Sequence, residues 1–341
     1  MLIDLGGLFS IFRHMARPPR FEYPGAIYHI LNRGNYRSRI FEESGAKTAF
    51  QKCLFEACEY ADWTLHAYCI MGNHFHLALE TPEPNLSEGM RWLQSVFANR
   101  FNRFRKERGH LFQGRFKSII VEDWDRLAWL CHYIHLNPVR GGICRLDELR
   151  EYPFSSIWHL RKKRTRMPFM NFDAFLKGAG DLKDTDTGHR KYEQYLHWLN
   201  EDDQAKKNAA FDRMSKGWAI GSKQFKRALI KDEESRLSNL ELGSKDYAEI
   251  REEMWEAELE RCMAVLGKRQ RDLNVDPKSA DWKVAVAFLL KRKLLCTNKW
   301  ISDHVNMGAP ASISRYCTQL ENGKRTAAKK EFERLESKGK H

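Results

Sequence analysis

At 341 residues the chain is too long for one ordinary domain, and 42% hydrophobic with 12% aromatic residues is enough to build a sizeable core. A formal net charge of +13, a pI near 9.3 and a mean hydropathy of −0.63 describe a soluble chain suited to a polyanion, with nucleic acid ahead of a membrane surface. No apolar run approaches a membrane span, and the eight cysteines are scattered without a CxxC pair; this argues against a zinc ribbon or disulfide framework and for buried thiols in a reducing cytoplasm.

The opening 1–15 is apolar without a basic leader, and Met15-Ala16-Arg17-Pro18 reads as a start of its own, which would make 1–15 a non-native start. Ala26–Asn32 is strand-like and runs into the turn Arg33-Gly34-Asn35. Ser44 is placed to cap a helix to about Tyr60, with Phe50, Cys53, Leu54 and Ala57 on one stripe. Thr64–Met71 is a second strand, joined by Gly72-Asn73 to a third. From His74 the residues alternate, sending Phe75, Leu77 and Leu79 to one face and His74, His76 and Ala78 to the other. The two imidazoles then share a face with Cα atoms ~6.5–7 Å apart, within reach of one cation.

A helix over Leu86–Arg105 follows, with Leu86, Met90, Leu93, Phe97, Phe101 and Phe104 at three-four spacing. Phe116–Asp123 is a fourth strand, and Asp125 caps a third helix that Pro138 ends after Asn137. The order β-α-β-β-α-β-α predicts an α+β fold on the ferredoxin-like split βαβ plan with an antiparallel sheet, over 16–165. Residues 166–275 read as a mostly helical linker region. Residues 276–336 read as three helices, the last two a helix-turn-helix joined at Met307-Gly308-Ala309-Pro310, with Ser312, Ser314, Arg315 and Gln319 facing outward toward duplex DNA.

On the third helix Trp129, Tyr133 and Asn137 are each four residues apart, so a phenol and a side-chain amide share one face. A cation held by His74, His76 and one carbonyl oxygen would be a Lewis acid at a phosphodiester, with Tyr133 as nucleophile. Assistance is needed, because a phenol of ordinary pKa is only ~0.1% ionised at neutral pH. Mixed nitrogen and oxygen ligation with open positions suits Mg²⁺ or Mn²⁺.

Four segments in this order resemble the HUH single-tyrosine transposases, specifically the REP-associated tyrosine transposase branch. They are Tyr28-His29-Ile-Leu-Asn-Arg-Gly-Asn35, Met71-Gly-Asn-His74-Phe-His76-Leu77, Gly109-His-Leu-Phe-Gln-Gly-Arg-Phe-Lys117 and Tyr133-Ile-His-Leu-Asn137-Pro-Val-Arg140. The resemblance implies a divalent metal at His74 and His76 with Asn137 as amide ligand. It also implies attack of Tyr133 on single-stranded DNA, hairpin-containing in the REP branch, giving a 5′-phosphotyrosine and a free 3′-hydroxyl. It leaves room for a homodimer in which the tyrosine helix serves its own subunit or its partner. Unlike many such chains, this one continues for about 175 residues past the catalytic domain.

From Arg91 to Lys117 there are eight Lys or Arg against one Glu, interleaved with aromatics, as in a single-strand channel. Arg100, Arg103, Arg105, Arg115 and Lys117 are the phosphate-contact candidates, with Arg33 and Arg37 beside the first strand. The alternative reading is a catalytically inactive, sequence-specific DNA-binding regulator acting through the helix-turn-helix. Intact His74, His76, Tyr133 and Asn137 disfavour it.

Overall fold

The computed structural model describes residues 20–232 and 245–337; the proposed non-native start, 1–15, lies outside the described residues. The chain divides after Leu229 into two compact units. The first contains β1 (Ala26–Arg33), α1 (Ser44–Ala61), β2 (Thr64–Ile70), β3 (His74–Thr81), α2 (Leu86–Arg105), β4 (Lys117–Val121) and α3 (Trp124–Arg140), in the expected order. The sheet runs β2-β3-β1-β4-β5, with β1 to β4 antiparallel. A short β5 (Ala219–Ile220) lies parallel to β4. The class is α+β.

Period-two alternation gives the sheet two faces with different cover. On one, Phe75 packs 4.6 Å from the Phe50 ring, and Phe41 stacks 5.5 Å from Phe97, binding α1 and α2 to the strands. On the other, Ala67, Cys69 and Ala78 meet Leu127, Leu130, Cys131 and Ile134 of α3. His74 and His76 belong to this second face, which α3 covers.

Three local expectations change. Asp123, not Asp125, caps α3, its carboxylate accepting from the Arg126 N–H at 2.9 Å. Pro138 does not end that helix: it removes one N–H in the last turns, and Gly141 N–H still closes on the Asn137 carbonyl at 2.8 Å. Phe104 lies at the end of α2 and is 83% exposed, so the apolar stripe stops short of it.

The largest correction concerns 166–275. It is not a linker, and the first unit does not stop at 165. It continues through α4 (Trp158–Arg161), α5 (Asp173–Gly178), α6 (Asp186–Glu201) and α7 (Asp203–Asn208) to β5, with α8 (Lys223–Asp232) at the boundary. Phe172, Phe175, Tyr192, Leu196, Phe211 and Met214 are buried in the same core as α3. The join is polar as well as apolar. The Tyr192 hydroxyl lies 3.0 Å from His132 Nδ1 and 2.8 Å from His135 Nδ1, while His135 Nε2 lies 2.8 Å from Ser156 Oγ.

The second unit begins at Ile230 rather than 276. Its helix Lys245–Leu266 shares a core with Asp281–Leu294, Asn298–Val305 and Pro310–Glu321, and with a fourth helix, Thr326–Ser337, that the three-helix reading omitted. Trp255 packs 5.5 Å from Trp300 and donates to the Leu294 carbonyl at 3.0 Å. Asn306, in the left-handed region at φ +52°, ends Asn298–Val305.

Gly89 marks the tightest approach of α2 to the rest of its unit. A Cβ there would lie 2.2 Å from Trp63 Cζ2, and Trp63 is buried with its indole N–H on Asn85 Oδ1 at 2.8 Å. Gly89→Ala gains ~1 kcal/mol of helix propensity but overpacks the ring at a cost of ~1–3 kcal/mol. The substitution is expected to lower the thermal midpoint of the first unit; a raised midpoint in calorimetry would show that the indole gives way.

Candidate active site

The strands assemble the histidines. In the β1–β3 ladder Leu31 faces His76 and Arg33 faces His74, and His29, two residues before Leu31, points to the same side. That diagonal brings a third imidazole against the pair. His29 and His76 stack with centroids 5.1 Å apart, and His74 meets His76 edge-on at 5.0 Å.

The hydrogen bonds fix which nitrogens carry protons. His29 Nδ1 lies 2.7 Å from the Met214 carbonyl oxygen, which can only accept, so Nδ1 is the N–H. Burial pulls the His29 pKa down to about 4 and keeps the ring neutral, leaving Nε2 a bare acceptor. His76 Nδ1, 2.9 Å away, must then donate, and burial first, then the neighbouring His29, His74 and Arg140 that disfavour a further positive charge, hold His76 neutral too. Its Nε2 is therefore an unprotonated lone pair. His74 reaches the same state by another route, with Nδ1 donating to Asn73 Oδ1 at 2.6 Å and burial lowering its pKa. Both imidazoles thus present Nε2 in the form a metal requires.

α3 brings the phenol to this cluster. The Tyr133 ring meets His29 at 6.0 Å and His76 at 5.9 Å, both edge-on. Its hydroxyl lies 2.8 Å from Ser215 Oγ, Phe211 packs edge-on at 5.5 Å, and the Arg140 guanidinium covers the ring at 4.6 Å. Asn137 is buried one turn along. Its Oδ1 accepts from Arg140 at 3.4 Å, and its Nδ2 is buried with no partner among the described residues. The structure thus joins His74, His76 and Tyr133 directly, while the Asn137 amide is engaged with Arg140. Among the described residues no group of three or more His, Cys, Asp or Glu could hold a metal; any ligand set here needs a neutral oxygen donor besides the two imidazoles.

His29, Arg140, Met214 and Ser215 were not singled out as site residues from sequence. His29 carried a signal, since a polar residue two places along a strand from the partner of His76 shares its face. Met214 and Ser215 carried none, because Met214 acts through its backbone carbonyl and both lie in a stretch without periodicity.

The basic residues separate into groups. A groove of about 990 Å³ between α2 and the loop 109–116 is lined by Arg20, Arg91, Arg115 and Phe116, with Asn35 at its edge. Arg100, Arg103 and Arg105 do not line it; Arg100 pairs with Glu56 at 2.8 Å and Arg105 with Glu43 at 3.0 Å. Arg33 holds Gln113, Arg37 is exposed, and Lys117 is half-buried on β4. In the second unit Ser314 and Arg315 are exposed, with Ser314 Oγ accepting from Asn298 at 2.8 Å. Ser312 is half-buried, and Gln319 is tied to Arg325 at 3.1 Å.

The Tyr133 phenol thus lies edge-on against neutral, tautomer-fixed imidazoles. Residues 23–137 match the family model "Transposase IS200 like". A Haemophilus influenzae protein with the provisional name REP-associated tyrosine transposase is 26% identical over 118 residues, which span 31% of this chain and 66% of that protein. A solved REP-associated tyrosine transposase bound to a REP hairpin matches 46% of this chain and 90% of its own, at 19% identity and a TM-score of 0.36. Among the described residues no helix is long and apolar enough to cross a membrane.

Burial of the neutral histidines sets a pH dependence. Burial lowers His29 and His159 to about 4, and His132 and His135 to about 3, against an ordinary value near 6.5. Below pH ~6.5 the unfolded chain takes up protons that the folded unit refuses, so stability present above that pH falls as the solution is acidified toward pH 4. The slope reaches up to about 1.4 kcal/mol per pH unit for each histidine. Urea midpoints of the first unit at pH 7 and pH 5 should differ clearly; a flat profile is inconsistent with four histidines buried neutral.

Proposed function

We propose that the first unit is a DNA strand transferase that cleaves single-stranded DNA through Tyr133. The observation that carries this reading is the phenol lying against His76 at 5.9 Å while His74 and His76 both present unprotonated Nε2 atoms. The ferredoxin-like split βαβ plan accounts for the arrangement, since its antiparallel ladder aligns the histidines and its following helix crosses their face. The Tyr133 oxygen attacks a backbone phosphorus and loses its proton. The bond from phosphorus to the 3′-oxygen breaks, that oxygen leaves as a hydroxyl, and the phosphate remains on Tyr133 as a 5′-phosphotyrosine. Attack by a 3′-hydroxyl reverses the sequence and joins strands.

His74, His76 and the Asn137 amide oxygen would hold Mg²⁺ or Mn²⁺, which when bound supplies positive charge to the non-bridging phosphate oxygens. Asn137 fits this role once its amide leaves Arg140, a bond of only 3.4 Å, and its unpartnered Nδ2 means little is lost by turning. Ser215 steadies the phenolic hydroxyl, and Arg140 limits rotation of the ring. The basic groove with Arg91 and Arg115 suits the flanking strand, and a hairpin with single-stranded arms is the first substrate to try. In the second unit, Asn298–Val305 and Pro310–Glu321 act as a helix-turn-helix on duplex DNA, led by Arg315. A homodimer would bring two such centres to one transposition event.

Tyr133→Phe is expected to abolish the covalent protein–DNA adduct with oligonucleotides while leaving affinity nearly intact. His76→Ala is expected to lose Mn²⁺-dependent cleavage. An adduct persisting in the Phe variant on a denaturing gel would displace Tyr133 as nucleophile. Arg315→Ala should weaken duplex binding by about 1–3 kcal/mol and leave single-strand cleavage unchanged; equal duplex affinities would remove the helix-turn-helix assignment.

A further inference from the structure

The loop after β1 carries two adjacent non-glycine residues in the left-handed region, Tyr36 at φ +53° and Arg37 at φ +60°. Such conformations are unfavourable and persist where surrounding bonds impose them. Here those bonds are visible. Gly34 N–H donates to the Asn73 carbonyl at 2.8 Å, Asn35 N–H to the Leu111 carbonyl at 2.9 Å, and Arg37 N–H to the Gly34 carbonyl at 3.0 Å. Tyr36 N–H is held by Asn35 Oδ1 at 3.1 Å. The result is an aromatic ring 92% exposed on a braced loop. Two strained residues side by side in a braced loop are the kind of local strain that gathers at ligand clamps and functional sites.

Its surroundings say what contact. Asn73 bridges the loop and the site, its Oδ1 accepting from His74 and its Nδ2 reaching the Arg37 carbonyl at 3.4 Å. Arg33, opposite His74 in the ladder, and Arg37, next to Tyr36 in the loop, are both exposed. Asn35, the residue before Tyr36, lines the groove that Arg91 and Arg115 also line. The loop that carries Tyr36 thus connects the basic groove, through Asn35, with the histidine pair, through Asn73. An unpaired nucleobase has the complementary chemistry, a π-face on an anionic backbone.

We propose that Tyr36 is a stacking platform for one unpaired base of the single-stranded DNA, next to the phosphate presented to Tyr133, with Arg33 and Arg37 on the adjoining phosphates. This rests on the proposed strand-cleaving function. It adds that one nucleotide is held by ring stacking, which tolerates any base, rather than read by hydrogen bonds.

The test uses the full chain carrying Tyr133→Phe, so that no adduct forms, and hairpin oligonucleotides with 2-aminopurine at successive single-stranded positions. One position should be quenched on saturation, and Tyr36→Ala should remove that quench while weakening binding roughly 5- to 150-fold. Tyr36→Phe and Tyr36→Trp should retain both properties. Tyr36→Gly, which suits a positive φ and keeps the loop, should behave like the Ala variant and so separate loss of the ring from loss of the loop. Unchanged affinity and quench in the Ala and Gly variants would overturn the platform. Adduct formation by the chain with Tyr133 intact is scored separately: adduct with an indifferent Tyr36 leaves strand cleavage standing and removes only the platform, whereas no adduct with any oligonucleotide removes the cleavage reading.

Discussion

The direction of one short run of hydrogen bonds governs the chemistry at the sheet. It starts at a backbone carbonyl, Met214, which cannot donate, and passes through His29 to His76 over 2.7 and 2.9 Å. Because the first acceptor is fixed, every proton along the run is fixed, and the last nitrogen is left bare. Were the terminal group a hydroxyl or an amide, either polarity would be possible and the outer His76 nitrogen could carry an N–H instead. A carbonyl therefore does here what a second-layer carboxylate does for many ligating histidines, without adding a negative charge to the site. Asn73 plays the same part for His74 with a neutral amide oxygen.

The same economy of charge holds α3 in place. A helix that presents Tyr133 to the histidines needs a defined rotation, and apolar packing alone tolerates small ones. His132 and His135 flank Tyr133 in sequence and both reach the Tyr192 hydroxyl, while Ser156 takes the other nitrogen of His135. These are buried groups whose loss of water is recovered only in one orientation of the helix. Tyr133 and Tyr192 thus lie on different sides of α3, the first toward the histidines of the sheet and the second fixing the helix from behind.

The strands, the first three helices and their order were legible because each is long enough to show its period. β3 displays alternation over His74–Glu80, and α3 a full apolar stripe from Leu127 to Ile134. The paired histidines and Tyr133 could be singled out because their types are uncommon on such faces. Less of the region beyond α3 was legible. α5 is six residues long and β5 only two, too short for any period to register, and the sixteen-residue α6 sets Tyr192, Leu196 and Leu199 among mostly polar neighbours, so 166–275 read as a linker although Phe175, Tyr192 and Met214 are core. Arg100 and Arg105 looked like phosphate ligands because charge is visible in sequence and pairing is not; Glu56 and Glu43 occupy them. Pro138 misled in the opposite direction, since its cost near the last turn of a helix is one hydrogen bond rather than the helix.

These observations bear on where the catalytic unit ends. The family match covers residues 23–137 and contains His29, His74, His76, Tyr133 and Asn137. It stops before Arg140, Met214 and Ser215, the groups that cover the phenol, set the imidazole protons and hold the hydroxyl. A fragment cut at the end of the match would keep the histidines and Tyr133 and lose what determines their protonation and pose. It would also expose the α3 face that Phe175, Tyr192 and Phe211 cover. β5 makes the dependence structural as well as chemical: it pairs with β4 at Ile120 and Val121, and Glu122 receives both the N–H and the hydroxyl of Ser222. The sheet itself is therefore completed by chain from beyond the match, and in this molecule the matched segment is part of a larger folding unit that runs to Leu229.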